Sequence, residues 1–300
     1  MKQHFIKTYQ NPSELVHLLR TRGLVINDEH GAEHYIRDIG YYRLSAYMHP
    51  FLRQPKTLHI FKFGTNFQQI LNVYEFDQEL RVLLFKEIAK IEIALRETVM
   101  NLVAEQTGDI YWLTNPVHYH SLPIFHQSMD FLRKEYEHST EKFIEHFRHN
   151  YLEPFPPAWI LGELLSMGNV NKYYRNLKNK NLKKQIARRF HLHAPVFESW
   201  FSILTLTRNA CCHHARIWNK VNNIIPNDMR GMSQPWITIP TDKHRIYFNL
   251  CIIKYFLNII SPENDMFDKL QDLLGRFPEI DVRAMGFTEG WKEEKVWAAL

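Results

Sequence analysis

Between Gly64 and Gly108 the chain contains no glycine and no proline, and the interval is dense in Leu, Ile, Val, Glu, Lys and Gln. With both strong helix breakers missing, the hydrogen-bond ladder of an α-helix can run uninterrupted, so residues 65–107 are predicted to form one long helix or two nearly continuous ones. Composition agrees: 11 Gly and 14 Pro in 300 residues are few for an all-β chain, whose tight turns consume them. The composition therefore leans helical.

Stepping by four and three residues along this interval, Asp77, Arg81, Phe85, Ile88, Glu92, Arg96, Val99 and Val103 share one stripe. Two opposite-charge pairs thus punctuate an apolar face. They can be partly buried ion pairs that fix helix packing, or Arg96 can face a cleft, and the packing role is the expectation. A second half of a functional site built from these four charged residues stays open.

Around the long helix the chain reads as further helices. Asn11-Pro12-Ser13-Glu14 carries a capping box and opens a helix ending at Gly23; a second runs from Asn27 or Asp28 to Gly40. Leu58 to Phe63 partly alternates, as a small strand or hairpin arm would. Residues 111–123 read as irregular, followed by helices over 124–151, 159–167, 170–190, 196–221, 241–260 and 262–274, with the Pro154-Phe155-Pro156-Pro157 cluster as a break. The tail from Met285 to Trp297 is aromatic enough to dock on the body. The expected organisation is an N-terminal helical segment (1–64), a helical core (65–260) and a C-terminal helix with its tail (261–300), packed as one unit.

The 37 Lys and Arg against 32 Asp and Glu give only +5, too slight to argue for nucleic acid. Position matters more. From Leu164 to Phe197 there is no acid, yet Lys172, Arg175, Lys178, Lys180, Lys183, Lys184, Arg188 and Arg189 occur; removing these eight leaves 29 basic residues against 32 acidic ones. Tyr173, Tyr174 and Phe190 are interleaved, a mixture suited to holding phosphates while rings stack on bases. A solvated helix face is the plainer alternative. Three cysteines (Cys211, Cys212, Cys251) are too few for a disulfide scaffold, no stretch is long and apolar enough for a membrane span, and Met1 to Pro12 has no signal-peptide run, so a cytoplasmic location is expected.

Chemistry concentrates in residues 208–219, where two arginines, two histidines, two cysteines and two asparagines occur within twelve residues. A zinc site is disfavoured, because on a helix Cys211, Cys212, His213 and His214 fan around the axis at about 100° per residue. No metal and no cofactor is expected. On a regular helix Asn209, His213 and Arg216 lie within about 60° of one another, with Arg208 about 100° round from Asn209. An imidazole and guanidinium groups suit a phosphodiester: a base takes the proton of a 2′-hydroxyl, the oxygen attacks phosphorus, and arginine stabilises the added charge. The alternative is a hydrogen-bonded contact between helices.

Arg208-Asn209-Ala210-Cys211-Cys212-His213 resembles the R-x4-6-H signature of HEPN ribonucleases. The wider pattern is similar to the Abi-like (abortive infection) family of phage-defence proteins. It includes Ile39-Gly40-Tyr41-Tyr42-Arg43-Leu44-Ser45, Phe76 to Arg81, Ile91 to Arg96, the run from Arg208 to Asn219, and Met285-Gly286-Phe287 with Trp291. Ala46 departs from the glycine frequent there. The resemblance implies an all-α HEPN core and a metal-independent endoribonuclease with Arg208 and His213 as catalytic pair and Asn209 beside them. It also implies homodimerisation, because such sites are commonly assembled from two copies of the motif. RNA is the implied partner, as substrate and as a structured non-coding RNA that restrains the enzyme. Lys172, Arg175, Lys178, Lys183, Lys184, Arg188, Arg189 and Arg216 are the candidate RNA-binding residues. A non-catalytic RNA-binding module of a defence or toxin–antitoxin complex is the competing expectation, and a helical protein-interaction scaffold is a third.

Overall fold

The computed structural model describes residues 4, 6, 8–229 and 236–298. Its described elements are α-helices and short 3-10 turns, with three isolated β-bridges and no strand among the described residues, so the fold is all-α. The chain divides into two compact units: one holds the residues up to Leu80 with Asp272–Ile280, the other Arg81–Gln271 with the segment from Asp281 onward.

In the first unit, α1 (Pro12–Thr21) carries the expected capping box: Glu14 N–H donates to Asn11 Oδ1 at 2.9 Å, and Asn11 N–H donates to the Glu14 carboxylate at 2.8 Å. Asp28 caps α2 (Glu29–Ile39), which ends at Gly40, a residue at φ +89° that lets the chain turn directly into α3 (Tyr41–Met48). The buried Tyr47 hydroxyl of α3 donates to Asp77 at 2.6 Å. No hairpin forms over Leu58–Phe63. Pairing is limited to the single bridge between Leu52 and Phe61, closed by Arg53 N–H to Ile60 O at 2.8 Å and Lys62 N–H to Phe51 O at 2.9 Å.

The long glycine-free interval is one helix, α4 (Phe67–Thr107), unbroken for 41 residues. Its inward side is fully buried at Leu80, Leu84, Ile88, Ile91, Leu95 and Val99, and Asp77 and Arg81 are buried with it. Phe85 departs from the expected apolar face: it is exposed.

The second unit continues with α5 (Leu122–His138), α6 (Lys142–Asn150), α7 (Ala158–Leu161), α8 (Met167–Asn176), α9 (Lys180–Arg188), α10 (Ala194–Cys212) and α11 (Ile246–Ile260), and α12 (Met266–Arg276) begins in it. Several expected helices are divided here. The stretch 124–151 breaks where Ser139 and Glu141 are extended. The stretch 170–190 breaks at Leu177, because His118 and Asn176 claim backbone hydrogen bonds with Lys178 and His120, after which Asn179 caps α9. At Leu177 helical continuity yields to better partners for the backbone.

Helix α11 is buried nearly all round, from Ile246 to Lys254 and again at Phe256 to Asn258, which marks it as the centre of the unit. Phe190 and Phe197 stack at 5.4 Å and both lie against Phe256. Lys254, 2% exposed, donates to Asn264 Oδ1 at 2.8 Å, and burial pulls its ammonium pKa down. The aromatic tail docks as expected: Phe287 packs on Tyr247, Trp297 donates its indole N–H to the Tyr247 hydroxyl at 3.2 Å, and Val296 O accepts from Asn258 at 2.9 Å.

Candidate functional site

The motif lies on the last turn of α10, and that turn is not regular helix to Arg216 or Val221. The helix stops at Cys212 with His213 as its C-cap. His214 then takes the left-handed conformation at φ +53°, donating to Cys211 O at 3.2 Å, while Ala215 N–H reaches back to Ala210 O at 2.9 Å. Those two bonds define a Schellman ending, normally built on glycine. A histidine in that position stores backbone strain of the kind that gathers at functional sites. Arg216 therefore lies beyond the helix, half-buried, and the regular-helix angle expected between it and His213 does not apply. His213 and His214 are exposed, Asn209 is half-buried, and Cys211 is buried.

Arg208 faces α4. Its Nε donates to Glu92 Oε2 at 3.1 Å, its guanidinium lies 5.9 Å from the centre of the Phe85 ring, and 27% of the side chain is exposed. Glu92, only 9% exposed, holds more than this arginine. Its Oε1 accepts from Met167 N–H, in the first turn of α8, at 3.0 Å and lies 3.5 Å from Arg96 Nη2. Arg96 in turn donates to Leu165 O at 3.1 Å and to Glu163 at 3.3 Å. One buried carboxylate thus ties two guanidiniums and a helix N-terminus, a site where negative charge is favoured. The expected pairing of Glu92 with Arg96 is present. That Glu92 also anchors Arg208 is not visible from either segment, since 116 residues separate the two. The available signal was an acid on an otherwise apolar stripe.

Gly162 makes this junction possible. A Cβ built there would sit 2.8 Å from Met100 Cγ, so the backbone of residues 162–165 approaches α4 closely enough for Leu165 O and Glu163 to meet Arg96. Gly162→Val is expected to cost about 1–3 kcal/mol by overpacking, read as a lower denaturation midpoint with unchanged slope in urea.

The basic window is largely exposed at Arg175, Lys178, Lys184, Arg188 and Arg189, while Lys172 and Lys183 are half-buried. Arg175, Lys180, Lys183 and Lys184 line a cleft of about 760 Å³ with Ser199 and Ser202 of α10. Glu198 enters this cleft from outside the acid-free window, taking Lys183 at 2.8 Å and Arg175 at 3.2 Å. Lys172 donates to Gln127 at 2.7 Å. The interleaved rings are not available for base stacking: Tyr173, Tyr174 and Phe190 are each at most 1% exposed, because they fill the core under the basic face.

All-α among the described residues, with an arginine held by a buried acid and an exposed histidine on the closing turn of one helix, the fold is a helical one carrying a polar motif. The model of the Abi-like protein family matches residues 34–219, and the chain belongs to that family. Membership points to a role in abortive-infection defence. The matched span includes Gly40 to Ser45, all of α4 and the motif through Asn219; the docked aromatic tail lies outside it. No curated protein and no solved structure matches the chain. Among the described residues no helix is long and apolar enough to cross a membrane.

Proposed function

We propose that this protein is a metal-independent endoribonuclease of the HEPN type, acting as a toxin-like effector in abortive infection. The observation that carries the reading is that Arg208, held in place by buried Glu92, and His213, exposed, both lie at the closing end of one helix. In the proposed reaction His213 takes the proton of an RNA 2′-hydroxyl, whose oxygen attacks the adjacent phosphorus, and the P–O5′ bond breaks. The guanidinium of Arg208 stabilises the charge on the phosphoryl oxygens, Asn209 supports the same end of the helix, and the leaving oxygen takes a proton. The products are a 2′,3′-cyclic phosphate and a 5′-hydroxyl.

Along α10, Arg208 and His213 lie roughly 140° apart, so one copy presents them on different sides of the helix. A homodimer in which the arginine of one copy meets the histidine of the other removes that difficulty. Val82, Phe85 and Ile93 support it: they are exposed apolar side chains on α4, the helix that carries Glu92. The basic cleft, with Lys178, Arg188 and Arg189 outside it, supports RNA as the partner, either as substrate or as a restraining non-coding RNA. It also favours the second reading, a non-catalytic RNA-binding module. Incubation of the purified chain with RNA in excess chelator separates the two. New ends bearing cyclic phosphate are expected; salt-sensitive binding with no new ends would leave only the binding module.

A further inference from the structure

The face of α10 that carries His213 runs back to the basic cleft. At about 100° per residue, Ser199, Ser202, Leu206, Asn209 and His213 fall within about 80° of one another. Exposure traces the same stripe: Leu206 is 47% exposed and His213 is exposed, while Thr205 and Thr207 on either side of Leu206 are buried. Ser199 and Ser202 belong to the α10 wall of the cleft, so the cleft and the histidine share one side of one helix. At about 1.5 Å per residue, His213 stands roughly 16 Å along the axis from Ser202.

Charge says what the cleft takes. Among the described residues that line it, Arg175, Lys180, Lys183 and Lys184 face one carboxylate, Glu198. A concave wall of one charge sign concentrates its field on an anion. Lys183 is fixed in advance: it donates to Glu198 Oε2 at 2.8 Å and to Arg175 O at 3.2 Å, and its ammonium lies 5.1 Å from the centre of the Tyr174 ring. Arg175 Nε donates to the other oxygen of Glu198 at 3.2 Å. Glu198 thus holds, between two cations, the position that an incoming anion would take. Lys180 and Lys184, one turn apart on α9, are exposed. A second hollow of about 260 Å³ shares Lys184, Ala194 and Pro195 with the cleft and extends the basic surface to Arg188 and His193.

We propose that the cleft holds phosphates of the same RNA strand that is cut at His213, with the strand lying along the stripe from Ser199 to His213 and its phosphates displacing Glu198 from Lys183 and Arg175. A stacked strand advances about 3.4 Å per nucleotide, so roughly five stacked nucleotides, or fewer extended ones, span the 16 Å. The substrate class is therefore single-stranded RNA long enough to reach from the broken bond into the cleft, held by its backbone and not by its bases. The inference rests on the nuclease reading, and it assigns the cleft to the substrate strand itself.

The test measures binding without cleavage. Two probes are titrated against the full chain: 2′-O-methyl octauridylate, which lacks the attacking hydroxyl, and inorganic tripolyphosphate, which can fill the cleft but cannot follow the stripe. Replacing Lys180 and Lys184 together by Gln is expected to weaken both probes about tenfold or more. It also flattens the dependence of octamer affinity on salt by about 1.4 in log–log slope, the share of two phosphates on a single strand. Glu198→Gln keeps the shape and an acceptor oxygen while removing the charge, so it is expected to tighten both probes severalfold. Leu206→Glu puts a negative charge midway along the stripe and is expected to weaken the octamer fivefold or more while leaving tripolyphosphate unchanged. Lys180, Lys184 and Leu206 are exposed, so the test stands even if Glu198→Gln fails to fold. Octamer binding that ignores the lysine replacements or Leu206→Glu, or that weakens in a folded Glu198→Gln, overturns the proposal. A chain that cuts RNA while these variants bind as wild type does keeps the nuclease and loses the strand path; one with the expected binding pattern that never cuts RNA keeps the path and loses the nuclease.

Discussion

If the proposed nuclease reading holds, His213→Ala is expected to lower RNA cleavage by about 10²–10⁴-fold, the share a positioned acid–base group contributes, with little change in stability. The side chain is exposed and the Schellman ending uses only backbone groups around it, so the fold has little to lose. Arg208→Ala is expected to be comparably inactive, because loss of a preorganised donor costs about 10²–10³-fold. Arg208→Lys is not expected to rescue it: an ammonium lacks the planar fork that lets a guanidinium hold Glu92 through Nε while aiming its Nη donors at a phosphate. In cells, expression of wild type is expected to arrest growth and expression of either alanine variant is not. The two variants also read the geometry. If the arginine and histidine of one site come from different copies, an equal mixture of Arg208→Ala and His213→Ala recovers about a quarter of wild-type activity, because half the dimers then hold one intact site of two. Mixtures as inactive as their components would place both groups in one subunit, and full activity in His213→Ala alone would remove the nuclease assignment.

The parts of the fold written in local chemistry were legible. The capping box at Asn11 and Glu14, the stop at Gly40 and the unbroken run of α4 each depend on residues within a few positions of one another. The divisions at Ser139–Glu141 and Leu177 were not, because strand-like contacts with His118 and His120 from elsewhere in the chain decide the second of them. The end of α10 was misread for a different reason: a left-handed histidine does the work usually left to glycine, and His214 carries no sequence signal of that choice. The acid-free window was read correctly as charge and incorrectly as a stacking platform: the spacing that turns Arg175 outward on α8 turns Tyr173 and Tyr174 inward, and Phe190, past the end of α9, packs on Phe197 and Phe256. Arg208 and His213 were found as a local motif; the support behind Arg208 was not, because Glu92 sits on a different helix.

That support makes Glu92 the position where stability and function are expected to fail together. Glu92→Ala removes the acceptor of the Met167 N–H and the carboxylate shared by Arg96 and Arg208, with little solvent available to compensate. Breaking a buried pair in this way costs about 3–5 kcal/mol, enough to move a denaturation midpoint far outside experimental error. Arg96 keeps Glu163 and Leu165 O, so the guanidinium left without a counter-charge is Arg208. Glu92→Gln separates the two roles. Its amide oxygen can still accept from Met167 N–H, but its NH2 turns toward Arg208 Nε as donor against donor, so a smaller loss of about 1–3 kcal/mol is expected. Cleavage by Glu92→Gln, measured at a temperature where it is fully folded, should nevertheless fall by an order of magnitude or more, because misplacing a catalytic group by about 1 Å can cost 10²-fold. A Glu92→Gln protein that is slightly destabilised and cuts RNA at the wild-type rate would show that the carboxylate serves packing alone and that Arg208 needs no anchor.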